Sequence, residues 1–227
     1  MVAPIATQQP TINRAWEAFV PHIPTMLLIW LVTAVLSGVG LVVSLLATAV
    51  GLGLGGGDAS TMVASVANLL GQLGQLPFAI LSGFVGVLFT AVPVLYYQDG
   101  EVITAQAAFA ALLQRPWRYF LAGVLFTVAV GIGLLLCVVP GIVVALIAPI
   151  YVNRIFLTDL AITEAFAGSF QTLYRSERGR GFVGVEILAW LLMFVFSLCT
   201  CGLGALLAVP VSAFYMQNAA YHRGLIR

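Results

Sequence analysis

Residues 25–50 read TMLLIWLVTAVLSGVGLVVSLLATAV, a run with no charged side chain. A helix needs about 20 apolar residues to cross the hydrocarbon core of a bilayer. This run is long enough, and its backbone groups bond within the helix, which is what lipid demands. Ala47-Thr48-Ala49 has the small-x-small form of a leader cleavage site. The apolar run before it is longer than the about 7–15 residues of a leader core, so the expectation is a retained helix.

Five further spans are expected downstream. Glycines 51, 53, 55, 56 and 57 and Asp58 follow the first run. Residues 59–76 are only mildly apolar, with Asn68, Gln72 and Gln75, and are read as a surface-lying segment. The second span covers about 77–97, and a polar stretch, 98–118, separates it from the third at about 119–139. Pro140-Gly141 is a turn dipeptide, after which the fourth runs to about 157. A charged stretch, 158–181, precedes the fifth at about 182–200. Gly202 and Gly204 mark a turn into the sixth, about 203–221. The expected fold is all-α and integral to a membrane, with about six spans in one domain, 1–227.

Composition agrees with that reading. The chain is 62% hydrophobic and 7% charged, against about 25% charged in an average soluble domain. A net charge of +1 gives no reason to expect a nucleic-acid partner. All nine basic residues are arginine, read as composition bias or as recognition of phosphate and lipid headgroups. Three cysteines are too few for a disulfide scaffold.

With six spans, every arginine falls on one side. Arg14 precedes the first span, and Arg115 and Arg118 lie in 98–118. Arg154 ends the fourth span, Arg175, Arg178 and Arg180 lie in 158–181, and Arg223 and Arg227 are in the tail. Of the charged residues, only Asp58 lies in the opposite loops. The positive-inside rule makes the arginine side cytoplasmic and places both termini there. The expected location is a bacterial inner membrane or another energy-transducing membrane.

The chain also reads as three pseudo-repeats, 1–97, 98–157 and 158–227. Ala15-Trp16-Glu17-Ala18-Phe19, Ala105-Gln106-Ala107-Ala108-Phe109 and Ile162-Thr163-Glu164-Ala165-Phe166 each open an amphipathic helix. The expected apolar faces are Ile12, Trp16, Phe19 and Val20; Val102, Phe109, Leu112 and Leu113; and Ile162, Phe166, Phe170, Leu173 and Tyr174. Such helices suit the headgroup plane. Each second span of a hairpin carries a proline, Pro93, Pro149 and Pro210, followed by Tyr96, Tyr151 and Tyr215. Prolines remove a backbone hydrogen bond and are candidate kinks. They either shape a central cavity or adjust packing.

Val138-Val139-Pro140-Gly141-Ile142-Val143, then Ala148-Pro149-Ile150-Tyr151, then Ile162-Thr163-Glu164-Ala165-Phe166-Ala167-Gly168-Ser169-Phe170 resemble a superfamily of polytopic bacterial membrane proteins. It includes the membrane domain attached to some glycerophosphodiester phosphodiesterases and related domains of unknown function. The resemblance covers residues 100–227 well and the first third loosely. It implies an anchor, assembly or transport module, because the esterase chemistry of that family belongs to a separate soluble domain. The long glycine-rich outer loop at 51–76 departs from the pattern.

Few residues are candidates for chemistry. Glu186 lies about one turn inside the fifth span, and an intramembrane carboxylate marks a functional candidate. Arg154 lies at similar depth, so an Arg154–Glu186 pair is expected, structural or functional. Cys137, Cys199 and Cys201 share the outer level, which allows a disulfide, a copper(I) ion or three small buried hydrophobes. His22 and His222 sit at the cytoplasmic boundary, as interfacial tips or as a metal or acid–base pair. Arg175, Arg178 and Arg180 form a basic cluster suited to anionic lipid. Gly51 to Gly57 lacks the lysine and hydroxyl of a phosphate loop, and no nucleophile elbow occurs.

No cofactor is expected. Two functions are consistent with these residues. One is a non-enzymatic accessory or assembly subunit of a larger membrane complex, packed through small-residue faces such as Ser37, Gly38 and Gly40, or Gly131 and Gly133. The other is a transporter or lipid-handling protein with a cavity at the repeat interface.

Overall fold

The apolar runs become helices in a computed structural model, which describes residues 3–54 and 61–226. Among these residues there are helices and connecting turns, and no strand. Five stretches are long and apolar enough to cross a membrane: Ile12–Gly53, Met62–Asp99, Pro116–Leu136, Val138–Leu157 and Glu177–Cys199. The chain is thus an all-helical, multi-pass membrane protein. The sixth expected span is also a helix, Ala205–His222, but is not among the five. Gln217, Asn218 and His222 make its last turns polar, and Met216 through Tyr221 are all buried in protein.

The described residues form two compact units, residues 27–87 and residues 3–26 with 88–226. The smaller one is a hairpin of α2 (Ile23–Leu54) and α3 (Thr61–Gly86). Small residues set its spacing. A Cβ on Gly40 would stand 2.8 Å from Phe78, one on Gly51 2.9 Å from Ala67, and one on Gly74 3.2 Å from Val43. At Gly71 a Cβ would overlap the Thr48 hydroxyl and stand 2.9 Å from the Ser44 carbonyl. Ser37 and Ser82 share a hydrogen bond of 3.0 Å between the same helices.

Two expectations change here. Residues 61–76 are not a separate surface segment but the first turns of α3, which continues through Pro77. Gly71, Gly74 and Gln75 meet α2, while Asn68 and Gln72 are exposed. Gly51 and Gly53 belong to α2, so the connection from α2 to α3 is shorter than the glycine run suggested. Gly55, Gly56, Gly57 and Asp58 lie outside the described residues. At 32 residues α2 is about 48 Å long, well beyond the about 30 Å of a hydrocarbon core.

The larger unit contains α1 (Ile12–Phe19), α4 (Leu88–Asp99), α5 (Ala105–Gln114) and α6 (Pro116–Leu136). It continues with α7 (Val138–Ala145), α8 (Ala148–Leu157), α9 (Ile162–Phe170), a π-helical stretch Gln171–Arg175, α10 (Glu177–Cys199) and α11 (Ala205–His222). Its core is built where the three proline-bearing helices α4, α8 and α11 pack on one another. Val92, Pro93, Ile150 and Phe214 are buried there.

The prolines act differently from one another. The helix is interrupted at Val87 before Pro93 and at Leu146–Ile147 before Pro149. Pro210, by contrast, sits inside an unbroken α11. At the second break the Ile147 N–H bonds to the Val144 carbonyl, 3.2 Å away, and not to that of Val143. The freed Val143 carbonyl accepts from the Tyr174 hydroxyl at 2.7 Å.

The three short helices α1, α5 and α9 bury small residues more than the expected large ones. Ala15, Ala18, Ala108, Ala165 and Ser169 are buried. Of the large side chains expected on these faces, Phe19, Leu112 and Leu173 are buried, while Ile12, Trp16, Val20, Val102 and Leu113 are exposed. Thr11 and Thr104 cap α1 and α5 by accepting the Arg14 and Ala107 N–H groups.

Candidate functional site

Polar side chains inside a membrane protein are costly unless paired, so the buried ones define the candidate site. In the larger unit they are His22, Thr25, Asn153, Ser169, Glu186, Gln217 and Asn218.

His22 closes one cluster. The Ile103 N–H donates to its Nε2 at 3.0 Å, which places the proton on Nδ1, where it is donated to the Ala18 carbonyl at 2.6 Å. Thr25 donates to the Ile103 carbonyl at 2.9 Å. The ring stacks edge-on against Tyr96 and tilts against Phe214, with centroids 4.9 and 5.0 Å away. His22 is therefore neutral, fully buried and structural, not an interfacial tip. His222 is elsewhere, its Nδ1 2.9 Å from the Thr7 carbonyl, so the two histidines form no pair.

A second group spans α8, α10 and α11. The Asn153 amide donates to the Tyr221 hydroxyl at 2.9 Å. Gln217 Nε2 donates to the Pro149 carbonyl at 2.8 Å. Asn218 donates to the carbonyls of Ala6 and Gln8 at 2.9 and 3.2 Å, tying the N-terminal segment to α11. Glu186 lies on the buried face of α10 with Gly179 and Phe182. Its Oε2 and the Oε1 of Gln217 are buried without hydrogen-bond partners.

The expected Arg154–Glu186 pair does not form. Arg154 Nη2 donates instead to the Thr172 hydroxyl at 2.6 Å. Its Nη1 occupies the place a Cβ on Gly168 would need. The only ion pair among the described residues is Arg115–Asp159, which is exposed. That contact holds the Asp159 carboxyl below its usual range. Beside it, Arg118 caps α8 by donating to the carbonyls of Ile155 and Thr158 at 3.3 and 2.7 Å. Burial, with the Glu186 carboxylate adding to it, pushes the Tyr174 phenol up to about 12.

Neither the disulfide nor a thiolate site is assembled. Cys137, Cys199 and Cys201 are all free and exposed. Cys137 joins α6 to α7, while Cys199 and Cys201 flank the α10–α11 turn. A shared level in the sequence did not bring the two hairpin tips together. No group of three metal-binding side chains occurs among the described residues. Arg175, Arg178 and Arg180 are exposed. Arg178 lies beside Gly224 and Arg223 beside Gly181, so the tail joins this basic patch.

Sequence reasoning passed over Asn153, Gln217 and Asn218. Adjacent amides at 217–218 inside an apolar run were the available signal. Compared with family models, curated proteins and solved structures, the chain matches none.

Proposed function

We propose that this chain is a non-enzymatic accessory or assembly subunit that binds a larger membrane complex. The observation that carries this reading is the set of helix glycines left open. Gly38 on α2 and Gly131 on α6 have no described atom within 4 Å of where a Cβ would stand. Gly40 and Gly133, by contrast, are used within the chain, against Phe78 and against Pro140-Gly141. Glycine costs a helix about 0.5–1 kcal/mol relative to alanine. In lipid its return is close approach of another helix. Open glycines amid exposed Val35, Val39, Val42 and Val128 suit a partner helix that is not part of this chain.

The reading carries with it a bacterial inner or other energy-transducing membrane, cytoplasmic termini, and anionic lipid at Arg175, Arg178 and Arg180. Three pseudo-repeats and the resemblance to the polytopic bacterial superfamily belong to it as well. The alternative, a transporter or lipid-handling protein, draws support from the broken helix before Pro149 and the buried polar group beside it. Against a cavity between the proline helices stand the buried side chains of Val92, Pro93, Ile150 and Phe214.

Mass spectrometry of the protein extracted from its native membrane in mild detergent tests both. A stoichiometric protein partner, lost on Gly38→Leu or Gly131→Leu, is expected. Release as a lone protein in several mild detergents overturns the accessory role, and a co-purifying lipid or solute would then favour transport.

A further inference from the structure

The register of the α10–α11 hairpin sets two orphan groups at one depth. Glu186 lies thirteen residues before Cys199, and Gln217 lies thirteen after Gly204. At 1.5 Å per residue each is about 20 Å from the turn. Two contacts nearer the open end agree with this pairing, the Arg223 guanidinium beside Gly181 and that of Arg178 beside Gly224. Both side chains are buried, with 1% of Glu186 and 2% of Gln217 exposed.

Their chemistry is complementary. The Gln217 amide is oriented by its Nε2 bond to the Pro149 carbonyl, since the flipped amide would set oxygen against oxygen. Its Oε1 is left as an acceptor without a donor. Glu186 Oε2 is likewise an acceptor without a donor if the group is ionised. An ionised carboxylate sealed from water needs a cation or several donors. Arg154, the partner expected from its depth, is engaged with Thr172, and Arg175, Arg178 and Arg180 are exposed. One added hydrogen resolves both vacancies, because a neutral carboxyl is a donor.

We propose that Glu186 is a proton-binding site, its neutral carboxyl donating to Gln217 Oε1. The groups around it are accounted for. On the stretch Gln171–Arg175, Tyr174 donates to the Val143 carbonyl and Arg175 is exposed. On α11, Tyr221 accepts from Asn153 and His222 contacts Thr7. Tyr215 is about 200° around the helix from Gln217. None of these offers Glu186 a compensating cation.

Infrared spectroscopy of the purified full chain in lipid nanodiscs, with isotope-labelled glutamate, tests the site. The expected result at pH 7 is a carbonyl stretch of one protonated carboxyl group. It should disappear in Glu186→Gln and shift to higher frequency in Gln217→Leu, where its hydrogen-bond acceptor is gone. The wild-type spectrum alone is decisive if a variant fails to fold. Only ionised carboxylate bands at pH 7, or a band unmoved by Gln217→Leu, overturns the proposal. A protonated band lost when sodium chloride replaces choline chloride at constant pH also overturns it, and assigns the site to a monovalent cation.

Discussion

The hairpin of residues 27–87 and the unit built from residues 3–26 and 88–226 solve the problem of a lipid-borne core by opposite means. In the hairpin, glycines at 40, 51, 71 and 74 let two helix backbones approach, and the polar contacts are short hydroxyl bonds such as Ser37–Ser82. In the larger unit, side-chain amides and a phenol donate to carbonyls or a hydroxyl on other helices, and an imidazole accepts from the Ile103 N–H. Interhelical attraction in lipid comes from packing and from hydrogen bonds. Each unit relies mainly on one of these, so substitutions should separate them.

The largest effect is expected at His22. His22→Ala leaves the buried Ile103 N–H without an acceptor and opens a cavity between Tyr96 and Phe214. Together these cost about 3–4 kcal/mol. Unfolding by a strong detergent, followed by tryptophan fluorescence, measures it. A protein retaining only Trp190 should show the loss, whereas one retaining only Trp30 should not.

Gly71→Val should do the reverse, at about 2–3 kcal/mol, because the new side chain overlaps the Thr48 hydroxyl and the Ser44 carbonyl. Here the Trp30 signal should move and that of Trp190 stay. Equal movement of both reporters in either variant would mean that the two units unfold as one.

Tyr174→Phe should cost about 1 kcal/mol, the bond to the Val143 carbonyl. The pH dependence follows from the same phenol. Its pKa is raised in the folded state, from 10.0 to about 12. Its contribution is therefore complete below pH 10 and lost as pH rises towards 12. Melting temperature in detergent should fall over that interval more in the wild type than in Tyr174→Phe.

The smallest effect is expected at the surface. Asp159→Asn should leave stability unchanged near neutral pH, since exposed ion pairs contribute little. The folded-state pKa of Asp159 lies below 3.8, so its contribution is present above that value and lost as pH falls further. A large loss in Asp159→Asn would show that the Arg115–Asp159 contact fastens residues 98–118 to the end of α8.

Much of the larger architecture was legible because its cause is local. The length of an apolar run fixes where helices run, and Gly202 marks a turn, whatever surrounds them. The turn expected at Pro140-Gly141 falls instead at Cys137, and both residues lie in the first turn of α7, where proline's missing N–H costs no helical bond. The end of α4 is local in the same way, since Gly100 takes a φ of +77° there. Residues 61–76 were misread because their glycines and amides weaken hydropathy. Those same small residues strengthen helix contact, which a one-dimensional scale does not register. The sixth segment, a helix as expected, shows the converse. Its apolar first half is local information, but the burial of Gln217 and Asn218 depends on α8 and the N-terminal segment.

By itself, then, the amino-acid sequence determined that this protein is helical and multi-pass, because lipid imposes a length and polarity rule on each segment separately. Only the tertiary structure decided which polar atoms meet. Arg154 turned to Thr172 and not to Glu186, and His22 met a backbone N–H 81 positions away. Equal depth in a sequence places two residues on a level. Helix rotation and packing decide whether they face each other.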